Sequence, residues 1–277
     1  MIDTITRPYY NQRMPKVRVG DIQMFYREDG HGDHVVWIQG LGLDHRGWAL
    51  QIPFFVQHFC CLTFDNRDAG QSDRSPGAYT IKTMADDTIR LMDALAIKQA
   101  HIVGLSMGGA IAQELAINYP ARVKRLVLAA TYTSGDPRGT DLLNSFVLMR
   151  ARFSREEYLR AIGPWVYSYQ DYLIPELVEL AIKRGVEDPY FVPAKVYARQ
   201  VAAATSHFTE DRLKLIQAPT LIVAAGEDLL TPMRFARTLH EQIPGARLTV
   251  LQGTGHALIW THAEEFNTLV LSFLNEA

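Results

Sequence analysis

A chain of 277 residues, 48% apolar and 21% charged, has ordinary globular composition and enough apolar material for one large core. Its net charge of −2, with lysines and arginines scattered and no basic run, excludes the electrostatic footprint of a nucleic-acid or anionic-membrane binder. Adjacent Cys60 and Cys61 exclude a disulfide framework, because neighbours on a strand point to opposite faces.

Residues 1–15 carry no periodicity and read as an N-terminal tail. The tail lacks the apolar stretch of a secretory leader, and no run approaches the roughly 20 apolar residues that span a bilayer. The expectation is a soluble, cytoplasmic protein. "KVRVGDIQMFYRE" (16–28) alternates around Gly20 and Asp21 and predicts a β-hairpin. Short runs, apolar on both faces, follow at 35–38, 60–64, 102–105, 125–130, 220–225 and 247–251, the pattern of strands buried in a parallel sheet. Helical patterns at about 45–57, 83–97, 107–119, 233–242 and 262–275 separate most of them, which predicts an α/β fold with helices on both faces. The rhythm breaks between Ala130 and Pro219, where helical patterns continue with no convincing strand. This divides the chain into a core of residues 16–132 and 211–277 and an aromatic-rich helical insertion at 133–210.

Within "HIVGLSMGGAIAQELA" (101–116), Gly104-Leu105-Ser106-Met107-Gly108 matches G-x-S-x-G at a strand-to-helix junction. A turn that sharp strains the serine backbone and exposes its hydroxyl, and only glycine tolerates the close approach two residues before and after. The helix that begins there also aims unpaired N–H groups at the serine. Other uses of the glycines fit less well. A P-loop needs Lys and Ser/Thr where Ala110 and Ile111 stand, and "GLGLDHRG" (40–47) has His45 where a dinucleotide fingerprint needs a small residue.

A serine hydroxyl needs a base to become nucleophilic. Of nine histidines, His256 in "QGTGHALIW" lies in a glycine-flanked loop after the last strand run. The acid that orients it is assigned to Asp228 in "VAAGEDLLTP", with Glu227 as the adjacent alternative. Ser106, Asp228, His256 is the chain order of an α/β-hydrolase. The developing oxyanion needs preorganised donors, for which the backbone N–H groups of Met107 and Leu41 are the candidates, Gly40 and Gly42 letting the chain turn around Leu41. No Cys/His cluster has zinc spacing, and "HEQIP" (240–244) ends in proline where H-E-x-x-H needs its second histidine, so neither metal nor cofactor is called for.

Together "GLSMGG", "IQGLGLDHRGW", "FDNRDAGQSD", "AGEDLLTP" and "GTGHALIW" resemble the α/β-hydrolase fold family, in particular its esterase, enol-lactonase and cofactor-free haloperoxidase branch. The resemblance covers residues 16–275. It implies a mostly parallel eight-stranded sheet flanked by helices, with a helical cap inserted after strand six. It also implies Ser106 as nucleophile, Asp228 as acid, His256 as base, and Leu41 and Met107 at the oxyanion hole. Two departures stand out: Gln39 where relatives often have histidine, which predicts altered hydrogen bonding in that loop, and Asp68 where they commonly have glycine.

The implied function is hydrolysis of a small carboxylic ester or lactone, an enol-lactone or acyl-homoserine lactone among the candidates, through an acyl-enzyme. Gly40, Trp260, Phe146 and Trp165 are the candidate substrate-binding residues, and the insertion's aromatic content suggests an apolar pocket. Arg150, Arg152, Arg155 and Arg160 read as a solvated face. The alternatives are a haloperoxidase or perhydrolase, a carbon–carbon bond hydrolase, and a non-catalytic or slow ligand receptor on the same fold. No motif specifies an oligomeric state.

Overall fold

The computed structural model describes residues 15–276; the first fourteen residues of the expected tail lie outside the described residues. In chain order the elements are β1 (Lys16–Val19), β2 (Ile22–Gly30), β3 (His34–Ile38), α1 (Ile52–Phe55), β4 (Cys60–Phe64), α2 (Ile81–Ala94), β5 (Ala100–Leu105), α3 (Met107–Asn118) and β6 (Val123–Ala129). Then come α4 (Pro137–Arg152), α5 (Arg155–Val166), α6 (Tyr169–Tyr172), α7 (Pro175–Glu187), α8 (Ala194–Thr205), β7 (Thr220–Ala225), α9 (Met233–Gln242), β8 (Arg247–Leu251), α10 (Leu258–Thr261) and α11 (Ala263–Leu274).

The eight strands form one sheet in the order β1-β2-β4-β3-β5-β6-β7-β8. The β1–β2 hairpin and the β2–β4 pair are antiparallel, and every other pair is parallel. Side chains alternate across it. Val36 and Ile38 of β3, Leu126 and Leu128 of β6 and Ile222 of β7 pack on one face with α2, α3 and α9. Val35, Trp37, Val127, Leu221 and Val223 pack on the other with α1, α10 and α11. Burial on both sides is why these strands read as unbroken apolar runs. Each fully buried large aliphatic side chain contributes about 1.5–3 kcal/mol.

One expected helix is replaced by two shorter pieces. Residues 45–57 fold as a 3-10 turn (His45–Trp48) followed by the four-residue α1. Asp44 caps the turn by accepting the Arg46 N–H, and Gly47 and Ala49 close it with i→i+3 bonds. Pro53, in the first turn of α1, starts a new helix.

The five helices between β6 and β7 have an apolar cluster of their own, built on Phe146, Tyr158, Val192, Tyr197 and Val201. The chain enters and leaves this helical excursion through one pinned stem. Ser134 bridges Phe208, Gly135 N–H donates to the His207 carbonyl, and Thr209 N–H donates to the Thr133 carbonyl. No helix among the described residues is long and apolar enough to cross a membrane.

Candidate active site

The turn between β5 and α3 carries Ser106 at φ 54°, ψ −118°, a left-handed conformation that costs a non-glycine residue of order 1–3 kcal/mol. The surroundings impose it. Ser106 N–H donates to the Ala129 carbonyl of β6 at 2.9 Å, and its own carbonyl accepts the Thr131 hydroxyl at 2.7 Å and the Gly109 N–H at 2.9 Å. The flanking glycines are required by contact. A Cβ on Gly104 would fall 2.3 Å from the Gly108 carbonyl oxygen, and one on Gly108 would fall 2.0 Å from that of Ile38. The first N–H of α3, on Met107, has no carbonyl in its own helix to reach.

After β7 the chain places Asp228 in a buried position, while Glu227 stays exposed and accepts the Tyr169 N–H. This separates the two adjacent acids that the sequence left open. Asp228 Oδ1 accepts the N–H groups of Leu230 and Thr231, both at 2.8 Å. Its Oδ2 accepts the Thr231 hydroxyl and the His256 ring, both at 2.7 Å. Burial by itself would raise this carboxyl; the imidazole of His256 and the Thr231 donors outweigh it and hold the group below its ordinary value. With Nδ1 of His256 bonded to a carboxylate, Nε2 is left as the lone-pair nitrogen. Ser106, Asp228 and His256 follow β5, β7 and β8, which run parallel, so all three lie at one edge of the sheet.

The glycine loop after β3 borders this edge. A Cβ on Gly40 would meet the Ser106 Cβ at 3.2 Å. Gly40 N–H is held by the Gln39 side chain, Gly42 N–H by Gln200, and Leu43 N–H by the Gly40 carbonyl. Among the described residues the Leu41 N–H has no acceptor. Gln39 is fully buried; its Oε1 accepts the Gly40 N–H, and its Nε2 has no partner among the described residues.

Behind the loop stands a brace. His45 Nδ1 meets Asp65 Oδ1 at 2.7 Å, and the Asp65 carboxylate also accepts the N–H groups of His45 and Gln71. Asp44, His45 and Asp65 bring potential ligand atoms within 4.8 Å of one another, an arrangement the metal-spacing reading did not reveal. Their contacts are with the loop itself, Asp44 gripping Arg46 through both oxygens. Asp68, at φ 68° and fully buried, accepts the Tyr79 hydroxyl, Ser75 N–H and both arms of Arg199.

The expected substrate residues divide between two places. Phe146 lies in the excursion's cluster, with Trp165, Leu41 and Leu230 packed against it. That apolar layer therefore reaches from the glycine loop to the loop of Asp228. Trp260 instead packs with the core cluster beneath the sheet, its Nε1–H donating to the Gly47 carbonyl at 2.8 Å. The arginines do not form one solvated face. Arg150 stacks on Phe191, Tyr197 and Tyr158 at 3.7, 4.5 and 4.8 Å. Arg155 donates to the carbonyls of Val186 and Asp188, whereas Arg152 is exposed as expected and Arg160 pairs at the surface with Glu156 and Glu179.

The sequence reading did not find Gln200 or Arg199, because their partners lie 131–158 residues away in the chain. Gln200 joins two loops, accepting from Gly42 N–H at 2.9 Å and donating to the Arg67 carbonyl at 3.2 Å.

Known proteins match this chain over most of its length. The family model described as "alpha/beta hydrolase fold" matches residues 33–263. A curated relative from Caulobacter vibrioides, provisionally named carbamate hydrolase RutD, is 30% identical over 244 residues, 88% of this chain and 90% of its own. The enol-lactonase of Burkholderia xenovorans LB400 superposes with a TM-score of 0.86 at 27% identity, over 95% of this chain and all of that one. Est816, described as an N-acyl homoserine lactone degrading enzyme, gives a TM-score of 0.79 at 28% identity over 94% and 100% of the two chains. Sheet order, strained serine turn and family match converge, and the chain belongs to the α/β hydrolase fold family.

Proposed function

We propose that the protein is a serine hydrolase that cleaves a small carboxylic ester or lactone through an acyl-enzyme. The observation that carries this reading is the bond between buried Asp228 and half-buried His256, closed at 2.7 Å, at the sheet edge where Ser106 is held at φ 54°. His256 Nε2 takes the Ser106 proton as Oγ attacks the substrate carbonyl. Asp228 stays charged and holds the imidazolium in its orientation. The oxyanion that develops is received by the N–H groups of Leu41 and Met107, the first lacking an acceptor and the second heading a helix. His256 returns the proton to the leaving alcohol, then activates water to release the acid.

The helical excursion serves as the cap over this edge, and its apolar layer from Leu41 through Phe146 and Trp165 to Leu230 suits an apolar acyl or alcohol group. Lactone cleavage draws further support from two structural neighbours, one an enol-lactonase and one an enzyme that degrades N-acyl homoserine lactones. A second reading, carbamate hydrolysis, is favoured by the curated relatives and uses the same attack on a less electrophilic carbonyl.

Wild type and Ser106→Ala, assayed together on nitrophenyl esters, small lactones, acyl-homoserine lactones and aryl carbamates, test both. The expected result is ester and lactone turnover that vanishes in a folded Ser106→Ala. Turnover retained by that variant refutes the nucleophile, and preference for the carbamates favours the second reading.

A further inference from the structure

The proposed oxyanion loop is attached to the excursion, and the attachment is specific. Leu41 N–H belongs to the peptide plane whose carbonyl is that of Gly40. That carbonyl is held by a long bond, 3.4 Å, from Leu43 N–H. The next plane is held better, Gly42 N–H donating to Gln200 Oε1 at 2.9 Å. Gln200 is fully buried, and its other amide end is engaged with the Arg67 carbonyl. Tyr197, one helical turn earlier on α8, lays its ring beside Gly42, where an added Cβ would meet it at 3.1 Å. Arg199 reaches Asp68, next in the chain to Arg67, with two bonds of 2.9 and 2.7 Å. Three side chains of α8 therefore grip the loops that follow β3 and β4, the first of which lies against the serine turn. Only one of them bonds directly to the backbone next to the unpartnered donor.

We propose that Gln200 is the positioning residue of the oxyanion hole, so that α8 of the excursion sets the direction of the Leu41 N–H. This rests on the assignment of Leu41 as an oxyanion donor. An apolar side chain at 200 could fill the same space. It would leave the Gly42 N–H without its acceptor and free the 41–42 peptide to rotate. The loss falls on the transition state, because the ester carbonyl asks less of the donor than the oxyanion does. A group that only packed the excursion onto the core would change substrate binding instead.

Gln200→Leu and Gln200→Glu are compared with wild type on a nitrophenyl ester and against an alkyl trifluoromethyl ketone. Addition of Ser106 Oγ to that ketone generates a hemiketal oxyanion in the hole. In Gln200→Leu, kcat is expected to fall roughly 10- to 100-fold with KM within about twofold, and ketone affinity to weaken by the same factor as kcat. Gln200→Glu supplies a second readout. The neutral acid reproduces both bonds of the amide, whereas the carboxylate repels the Arg67 carbonyl. Its activity relative to wild type is therefore expected to decline as pH rises. A Gln200→Leu enzyme with kcat within about twofold of wild type overturns the proposal, as does lost kcat with unchanged ketone affinity. If Gln200→Leu does not fold, a pH-independent Gln200→Glu ratio overturns it. Turnover persisting in Ser106→Ala, or a wild type blind to the ketone, instead sinks the reading of the site on which the proposal stands.

Discussion

The serine turn and the helical excursion meet the same sheet edge in opposite ways. Around Ser106, glycine backbone lies directly on backbone, and added Cβ atoms at 104 and 108 would overlap carbonyl oxygens at 2.3 and 2.0 Å. The excursion touches the core backbone to backbone where Val166–Ser168 lies against Gly255 and Ala257, but over the serine-side loops it is tied by long polar side chains: Arg46 to Asp188, Arg199 to Asp68, Gln200 to Gly42 and Arg67, Glu227 to the Tyr169 N–H. Direct packing without intervening side chains has no slack, so it fixes the atoms that react. Side-chain ties can yield to water or re-form at modest cost. The serine turn is built from the smallest residues, and the ties of the excursion to the serine-side loops from the longest.

Four experiments bear on that contrast. Asp228→Asn, on the rigid side, is expected to lower kcat about 10⁴-fold by favouring the wrong imidazole tautomer; steady-state kinetics showing less than a tenfold loss would break the assignment. Gly108→Ala should destabilise the fold by about 3 kcal/mol or more, read by urea unfolding, and an unchanged midpoint would show that the turn has slack after all.

The third experiment puts both halves on one scale. Burial pushes His101, at the foot of β5, and His207, in the excursion's stem, down to about 4 from 6.5. Unfolding lets each bind a proton more readily, so their contribution to stability is complete above pH 6.5 and is lost as pH falls towards 4. Each loss amounts to at most about 3 kcal/mol. His101→Phe should remove one share of this acid slope in melting curves and leave that of His207. Smallest is Arg46→Ala, which removes the tie to Asp188, the stack on Tyr190 and both side-chain bonds to Asp44. It should cost about 2 kcal/mol and raise KM with kcat held, more so at low salt.

Much of the sheet was legible because burial on both faces leaves a local mark. The runs at 60–64, 220–225 and 247–251 coincide with β4, β7 and β8. Gly104, Ser106 and Gly108 were legible for a related reason: a steric demand confined to five residues writes itself into five letters. What escaped was held at long range. Nothing near Gln200 in sequence marks it as the partner of Gly42, and the pairing of Asp68 with Arg199 has no periodicity. The individual helices of the excursion also went unresolved, although the capping boxes Ser154–Glu157 and Ser168–Asp171 mark two of their starts. The segment 45–57 misled for a local reason, its apolar spacing being overridden by the Asp44 cap and Pro53.

The bridge between Ser134 and Phe208 has a consequence for how such a chain can diversify. Bridged residues stand about 5 Å apart at their Cα atoms, a gap that a two-residue hairpin closes. Everything from 135 to 207 therefore hangs from a point that makes no demand on its length. A lineage built this way can graft a longer, shorter or differently shaped cassette onto the same stem without shifting a strand, so long as the helix that follows it keeps its hold on Gly42 and Asp68.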